Sequence, residues 1–336
     1  MDSIAESWHR IDAWLQTFAP THAPSLFPGV TEEALEEAEE KLGLTLPADF
    51  KVSYRIHNGA QGSGSLLMGE PDFYPLEGII ALWEMKQKLL QDTTWAAKKP
   101  SWVNGEKRLP VQPVWWHPAW LEFTGNGAGD GWCLDLAPAS DGISGQVLDW
   151  SHEVGVCEAL FPSFEALLST YAVQLEAGLY MGCGSIIPLK KLTHLQERRA
   201  AFQEASTAQP LLKEALANSW RPWELAQHTP ALFKQVLQSK DAPPEARFFA
   251  YYGLIMLYTK EISYVDAPYE IPLLFEQFES DASRMPPTHW VHEEVTLLKP
   301  WSIFHDPAKA KARRQRQHQF AQEIMNRYRA DPPADL

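Results

Sequence analysis

Cysteine is scarce in this chain. Its 336 residues include three cysteines, Cys133, Cys157 and Cys183, and no two of them have CxxC spacing. An odd number without that spacing predicts neither a disulfide framework nor a zinc site. Disulfides and structural zinc ions are the features that most often compensate for a small hydrophobic core. Without them, we expect the fold to depend on the packing of apolar side chains.

Long apolar runs are also missing. The longest, residues 251–258, is far shorter than the roughly 20 residues that span a bilayer. The first ten residues, MDSIAESWHR, are acidic and lack the apolar core of a signal peptide. From these absences we expect a soluble, cytoplasmic protein that has no membrane partner.

Positive charge is rare in the N-terminal half. Residues 1–180 hold 10 Lys and Arg against 25 Asp and Glu, whereas the rest of the chain holds 19 against 18. An acidic field repels nucleic acid and speeds the encounter with a basic partner. The same charge also favours solubility alone. We therefore expect no nucleic acid partner, and a basic protein partner if the charge is functional.

The composition is that of a globular protein, with 45% apolar and 21% charged residues. The length suits about two domains. The segment MGCGSIIP, residues 181–188, is the predicted boundary between domains 1–183 and 189–336. Beyond it, hairpin signals vanish and helical periodicity predominates. The predicted helices there are 190–206, 209–219, 230–239, 244–259, 271–283 and 306–329, with 247–258 as the central buried helix.

Helical periodicity also marks the N-terminus. Apolar residues predict a helix over 3–18, and a second helix begins at Thr31, a predicted N-cap, and ends at Gly43. Pro47 suits the first turn of a third helix, which Asn58-Gly59 should end. A further helix is predicted over 84–91.

The middle of the chain has the pattern of an antiparallel meander. Three short alternating segments, 120–123, 132–136 and 146–150, are separated by clusters of Gly, Asn, Asp, Pro and Ser. Such spacing is typical of neighbouring strands joined by tight turns. An amphipathic helix over 164–177 closes the unit.

Four segments in this order resemble the SMI1/KNR4 (SUKH) superfamily. They are LGLTLPADFKVSYRIHNG, WLEFTGNGAGDGWCLDLAP, GISGQVLDWSHE and SFEALLSTYAVQLEAG, and they lie within residues 1–180. The resemblance implies an α+β domain with an antiparallel sheet and flanking helices. The periodicity adds a mostly α-helical C-terminal domain of unknown family.

The resemblance also implies a function. Many bacterial members are immunity proteins, which neutralise a secreted toxin by tight binding and occlusion, and fungal relatives are regulatory scaffolds in cell-wall signalling. The main hypothesis is an immunity protein whose cognate toxin is basic or acts on an anionic substrate. The alternative is an intracellular scaffold or regulator without a toxin partner. A third hypothesis, an enzyme in the helical domain, requires a deep polar pocket there.

Six residues are the predicted partner contacts. Acidic positions exposed on the second helix and at the turn tips would meet a basic partner, and a tryptophan would anchor it. They are Glu36, Glu37, Glu40, Asp130, Asp141 and Trp132.

Metal and nucleotide motifs are weak by comparison. His289 and His292 are three residues apart but lack the HExxH pattern and an identifiable third ligand. Asp130, Asp135 and Asp141 do not have EF-hand spacing, so turn capping explains them better than calcium. The glycines of GNGAGDG do not match GxGxxG. We therefore expect no metal and no cofactor.

Nucleophilic catalysis has no clear signature either. Cys133 or Cys183 could pair with His57 or His152, but nothing in the sequence indicates that they converge. We expect no enzymatic activity. A basic run at the C-terminus predicts a solvated helix face or a contact for an acidic surface. Its members are Lys309, Lys311, Arg313, Arg314 and Arg316.

Overall fold

Two compact units make up the chain in the computed structural model. Unit 1 comprises Met1–Ser185 with Lys213–Thr229, and unit 2 comprises Ile186–Leu212 with Pro230–Leu336. The structure describes residues 2–20, 25–60, 72–92, 98–100, 109–180, 193–220, 228–260 and 270–303. The division of the chain into domains 1–183 and 189–336 stays a prediction.

The N-terminal region combines helices with short strands, which confirms the predicted α+β class. Its helices are α1 (Ile4–Phe18), α2 (Glu32–Leu42), α3 (Ala48–Ile56), α4 (Leu76–Leu90) and α5 (Phe164–Glu176). Its strands are β1 (Leu26–Pro28), β2 (His57–Ala60), β3 (Asp72–Phe73), β4 (Trp120–Glu122), β5 (Thr124–Gly125), β6 (Gly131–Asp135), β7 (Gln146–Ser151) and β8 (Gly155–Phe161).

The predicted meander is confirmed as strands β4, β6 and β7 of a four-stranded antiparallel sheet in the order β4-β6-β7-β8. The sequence analysis missed β8, because irregular register between β7 and β8 interrupts its alternation. Two further antiparallel pairs, β1 with β2 and β3 with β5, lie outside this sheet.

Both faces of the sheet are covered by packing. On one face, Trp120, Cys133, Leu148 and Trp150 join a tryptophan-rich core with Trp115 and other residues of the segment before β4. On the other face, α5 packs against β7 and β8 and against α1 and α3. Alternation along each strand sends successive side chains to these two cores.

The predicted caps of α2 are confirmed. The Thr31 hydroxyl accepts a hydrogen bond from the Ala34 amide at 3.3 Å, and Gly43 has a left-handed φ of 65°. These contacts satisfy amide and carbonyl groups that have no partner inside the helix.

The prediction for Asn58-Gly59 was wrong. Helix α3 ends at Ile56, and the pair lies in β2. The Asn58 side chain caps α4 instead, because its Oδ1 accepts a hydrogen bond from the Leu76 amide at 2.8 Å. A side chain at Gly59 would place Cβ 2.6 Å from the Pro75 nitrogen, so glycine permits the close approach.

The C-terminal region is helical, as predicted. Its helices are α6 (Leu195–Ala208), α7 (Pro210–Ser219), α8 (Thr229–Gln238), α9 (Pro244–Lys260), α10 (Glu270–Ala282) and α11 (Val291–Ile303). Residues 248–258 of α9 are all buried, which confirms the central helix. Helix α11 is not among the six helices predicted for this region from the sequence, and predicted helix 306–329 lies outside the described residues. No helix in the described ranges is long and apolar enough to cross a membrane.

A buried ion pair lies inside unit 2. Arg198 on α6 and Glu294 on α11 are each 1% exposed, and their side chains approach to 3.4 Å. The Arg198 guanidinium lies 4.8 to 5.3 Å from the ring centroids of Phe249, Tyr252 and Trp290. Burial raises the pKa of Glu294 to about 7, and the charge of Arg198 opposes the shift.

Candidate functional site

A cleft opens in unit 1 between α4 and the four-stranded sheet. Its volume is about 300 Å³. Apolar and aromatic side chains form most of its wall: Tyr74, Leu82, Met85, Leu89, Trp115 and Trp150. In the described part of the chain, two glycine-containing turns and a buried ion pair also line it. A concave apolar site with a few convergent polar groups is the usual form of a binding site.

The ion pair joins Lys86 on α4 to Glu122 on β4. The Lys86 Nζ lies 2.5 Å from the Glu122 carboxylate, and the two side chains are 6% and 5% exposed. The ammonium also lies 4.0 Å from the ring centroid of Trp116 and 3.4 Å from that of Trp150. Lys86 is therefore held by a carboxylate and by two aromatic faces.

Burial governs the electrostatics of the pair. It raises the pKa of Glu122, while the charge and hydrogen bonding of Lys86 lower it. A buried ion pair seldom stabilises a fold more than apolar residues of the same volume would, because both charges lose their hydration. Its position at the lining of a cleft therefore favours a role in recognition.

The rim of the cleft is formed where two turns meet. The Asp130 Oδ1 accepts a hydrogen bond from the His152 amide at 3.0 Å and lies 2.8 Å from the His152 Nδ1. Its Oδ2 accepts from the Asn126 side-chain amide at 3.0 Å. Burial alone would raise the pKa of Asp130, but hydrogen bonds from His152, Asn126 and Ser151 outweigh it and lower the pKa to about 2. Asp130 therefore presents a fixed negative charge at the rim.

Replacing Asp130 with asparagine should cost about 1 kcal/mol of unfolding free energy at pH 7, because hydrogen bonds to a charged acceptor are lost. The folded pKa lies below the ordinary value, so this stabilisation exists above about pH 4 and is lost as the pH falls towards 2. Urea unfolding at pH 7 and at pH 3 measures the difference, which should shrink at the lower pH. Asp141→Asn is the matched control, because Asp141 is exposed. Equal losses of unfolding free energy in Asp130→Asn and Asp141→Asn at pH 7 would show that the hydrogen bonds of Asp130 do not stabilise the fold.

The structure does not bring the six predicted contact residues together. Asp130 lies at the rim, whereas Trp132 is half-buried on the opposite face of the sheet, across from Asp149. Asp141 is exposed in the turn beyond the other end of β6. Glu36, Glu37 and Glu40 are exposed on α2. Their role as partner contacts stays a prediction.

The other candidate ligands have separate partners. His289 faces Glu245 at 3.7 Å, whereas the His292 Nε2 lies 3.0 Å from the Pro286 carbonyl. Asp135 is buried and accepts hydrogen bonds from the Trp120 indole, the Ala137 amide and the Gln146 side chain. In the part of the chain that the structure describes, no group of three or more His, Cys, Asp or Glu residues could hold a metal ion.

The candidate nucleophile Cys133 is a core residue. It is fully buried, and burial raises the pKa of its thiol well above the ordinary value, which disfavours the thiolate. His57 contacts Asp12, and His152 contacts Asp130. Cys183 and the basic run of residues 309–316 lie outside the described residues.

The sequence analysis missed Lys86 and Glu122. A signal was present for Glu122, because the alternation of the segment WLEF places it on the same side of β4 as the buried Trp120. Lys86 had a weaker signal, since lysine in an amphipathic helix is ordinarily solvated. Only the fold shows that the two residues meet.

Comparison with known sequences identifies the domain that contains this cleft. Residues 29–170 match the sequence model of the SMI1 / KNR4 family (SUKH-1). The chain is 26% identical over 211 residues to the cell wall assembly regulator SMI1 of Saccharomyces cerevisiae, covering 53% of this chain and 42% of that protein. It is 28% identical over 187 residues to the cell wall biosynthesis/cell cycle regulator smi1 of Schizosaccharomyces pombe, covering 53% and 37%. It is 25% identical over 206 residues to the glucan synthesis regulatory protein of Neurospora crassa, covering 52% and 39%.

These relatives correct the main functional hypothesis. The prediction of an immunity protein with a cognate toxin was wrong, because the matched proteins are named as fungal cell wall and glucan synthesis regulators. The motifs behind that prediction form turns, caps and strands. They therefore specify a fold that different members share, and they do not specify the partner.

The resemblance to the SMI1/KNR4 superfamily is itself confirmed. The family match includes α2, α3, α4 and all four strands of the main sheet. The chain spans about 40% of the length of the relatives named above. Its residues 29–170 thus form a domain of the SMI1/KNR4 family (SUKH-1).

Proposed function

We propose that this chain is a regulatory protein that acts by binding another protein, as a scaffold or adaptor, and that it is not an enzyme. The proposal extends to this chain the word "regulator" in the names of its relatives. The observation that carries it is the cleft between α4 and the sheet, which lies in the SMI1/KNR4 domain and has an apolar wall and a charged rim.

The chemistry of the cleft favours a short protein segment as the ligand. Its apolar wall suits one large apolar side chain. Met85, which is part of this wall, is 46% exposed, although methionine usually packs inside a protein. Asp130 at the rim stays ionised and suits a lysine or arginine next to that side chain. The acidic excess of residues 1–180 would steer such a basic partner to the domain.

We also propose a cytoplasmic location. The chain has three cysteines in 336 residues, fewer than the disulfide-rich frameworks of small secreted domains contain. A chain with few cysteines and no predicted disulfide framework is more common in reducing compartments than among secreted proteins. Fractionation of cells that carry the gene would test the proposal, and recovery of the chain only in the medium would contradict it.

Binding through the cleft predicts a selective loss in one surface variant. Met85→Glu should lower capture of the partner from an extract of cells that carry the gene by tenfold or more, because it places a charge where an apolar group docks. A tenfold loss corresponds to about 1.4 kcal/mol. Quantitative mass spectrometry of immobilised wild-type and variant chains measures the difference.

The matched control is Ile143→Glu, because Ile143 is 55% exposed and lies in the turn beyond the other end of β6. It introduces the same charge and should retain the partner. Equal capture by wild type and Met85→Glu would exclude the cleft as the binding site. A wild-type chain that captures no protein above bare resin would contradict a binding function.

A further inference from the structure

A second cleft, in unit 2, has the opposite charge. It has a volume of about 510 Å³ and lies among α8, α9 and α10. Lys234, Arg247 and Arg284 line it, and Asp281 is the only carboxylate in its described lining. We call it the cationic cleft. These four ionised side chains give the described lining a formal charge of +2.

Hydrogen bonds hold three of the four charged groups of the cationic cleft in place. Asp281 accepts hydrogen bonds from Arg247 at 3.0 and 3.3 Å, from Arg284 at 3.2 Å and from the Tyr251 hydroxyl at 3.0 Å. Arg247 also donates to the Leu237 carbonyl at 2.8 Å. A guanidinium has five N–H groups, so two remain on Arg247 beyond these three bonds.

Tyr251 takes the role of a donor in this network. Burial, followed by its hydrogen bond to Asp281, raises the pKa of Tyr251 to about 12. The phenol therefore stays protonated and fixes the Asp281 carboxylate. Because that carboxylate is already bound by four donors from three side chains, it neutralises only part of the surrounding positive charge.

We propose that the cationic cleft binds a phosphate monoester. The phosphate of a monoester carries about −1.5 to −2 charges at pH 7, which matches the formal charge of the cleft. Arginine forks and lysine are the side chains that recognise phosphate oxygens. The neutral donors Gln238 and Gln277 and the apolar side chain of Leu274 suit the organic body that carries the phosphate.

The test is calorimetric titration of the full chain with phosphotyrosine, inorganic phosphate and sulfate. We expect phosphotyrosine to bind, and Arg284→Glu to weaken binding by tenfold or more. Arg284 suits this test because its side chain is 73% exposed, so the variant should fold. Lys234→Glu is a second variant and should weaken binding similarly. Lys240→Glu is the matched control, because Lys240 is exposed and does not line the cleft.

The pH dependence adds a readout that a purely structural network would not give. The second pKa of a phosphate monoester is about 6, so its affinity should fall several-fold between pH 7.5 and pH 5.5. Sulfate remains a dianion throughout, and its weaker binding should not change. Binding of inorganic phosphate as tight as that of phosphotyrosine would identify free phosphate as the ligand. No binding of any probe, or equal weakening by Lys240→Glu, would overturn the proposal.

Discussion

Lys86→Met is expected to lower the unfolding free energy of unit 1 by about 3–5 kcal/mol at pH 7, the usual cost of removing one partner of a buried ion pair. The loss follows from Glu122, which is 5% exposed and would remain in the core without its cation. Glu122 would have to accept a proton, and doing so at pH 7 against an ordinary pKa of about 4.3 costs about 3–4 kcal/mol. The lost contacts of the ammonium with Trp116 and Trp150 add to this cost.

Urea unfolding followed by tryptophan fluorescence measures the effect, because ten of the fourteen tryptophans lie in residues 1–180. The double variant Lys86→Met with Glu122→Gln is the control, since it removes both charges and should recover much of the loss. The deficit of the single variant should also shrink at pH 5, where protonating Glu122 costs less. A loss below about 1 kcal/mol at pH 7, or one independent of pH, would show that the pair is not energetically coupled.

Arg198→Met is expected to lower the unfolding free energy of unit 2 by about 2–4 kcal/mol at pH 7, mainly because the buried guanidinium loses its contacts with Phe249, Tyr252 and Trp290. Arg198 and Glu294 are each 1% exposed, and Glu294, whose pKa is already about 7, can accept a proton at little further cost when its cation is removed. Hydrogen exchange of α6, α9 and α11 localises the effect to this unit. Arg199→Met is the matched control, because Arg199 is the adjacent residue of the same helix but is only partly buried. Equal rates of amide hydrogen exchange in Arg198→Met and Arg199→Met would show that Arg198 does not stabilise unit 2.

The pH dependence of unit 2 provides an independent check on Glu294. Its folded pKa of about 7 lies above the ordinary value, so the folded state binds this proton more tightly than the unfolded state does. The resulting stabilisation is complete below about pH 4.5 and is lost as the pH rises through 7. Glu294→Gln should remove this dependence of the unfolding free energy on pH, since glutamine stays neutral. If the unfolding free energy of Glu294→Gln depended on pH as that of the wild type does, the dependence would come from other groups.

Periodicity and turn chemistry predicted most of the fold. The caps at Thr31 and Gly43 and the strands β4, β6 and β7 follow from short-range signals that require no knowledge of distant residues. Strand β8 was missed because its irregular register conceals the alternation. The role of Asn58 was misread because it caps α4, a helix that begins 18 residues later in the chain.

The candidate site could not be predicted in the same way. Asp130 was identified from its turn, and its carboxylate accepts hydrogen bonds from the Asn126 side chain of that turn and from the His152 amide of the neighbouring turn. The meeting of Lys86 with Glu122 depends on how α4 packs against β4, which is a tertiary contact between segments 36 residues apart. The function was mispredicted for a related reason, since the motifs that identify the family are structural.

Photo-cross-linking at the cleft tests the central claim most directly. A photoreactive phenylalanine analogue replaces Met85 in the full chain, and the same analogue replaces Ile143 in a matched control, because both side chains are exposed. Irradiation of cells that carry the gene, followed by mass spectrometry, identifies the adducts. Our account predicts a discrete protein adduct at position 85, joined through a segment with an apolar and a basic residue, and no such adduct at position 143. The same adducts at both positions, or none at position 85, would contradict it.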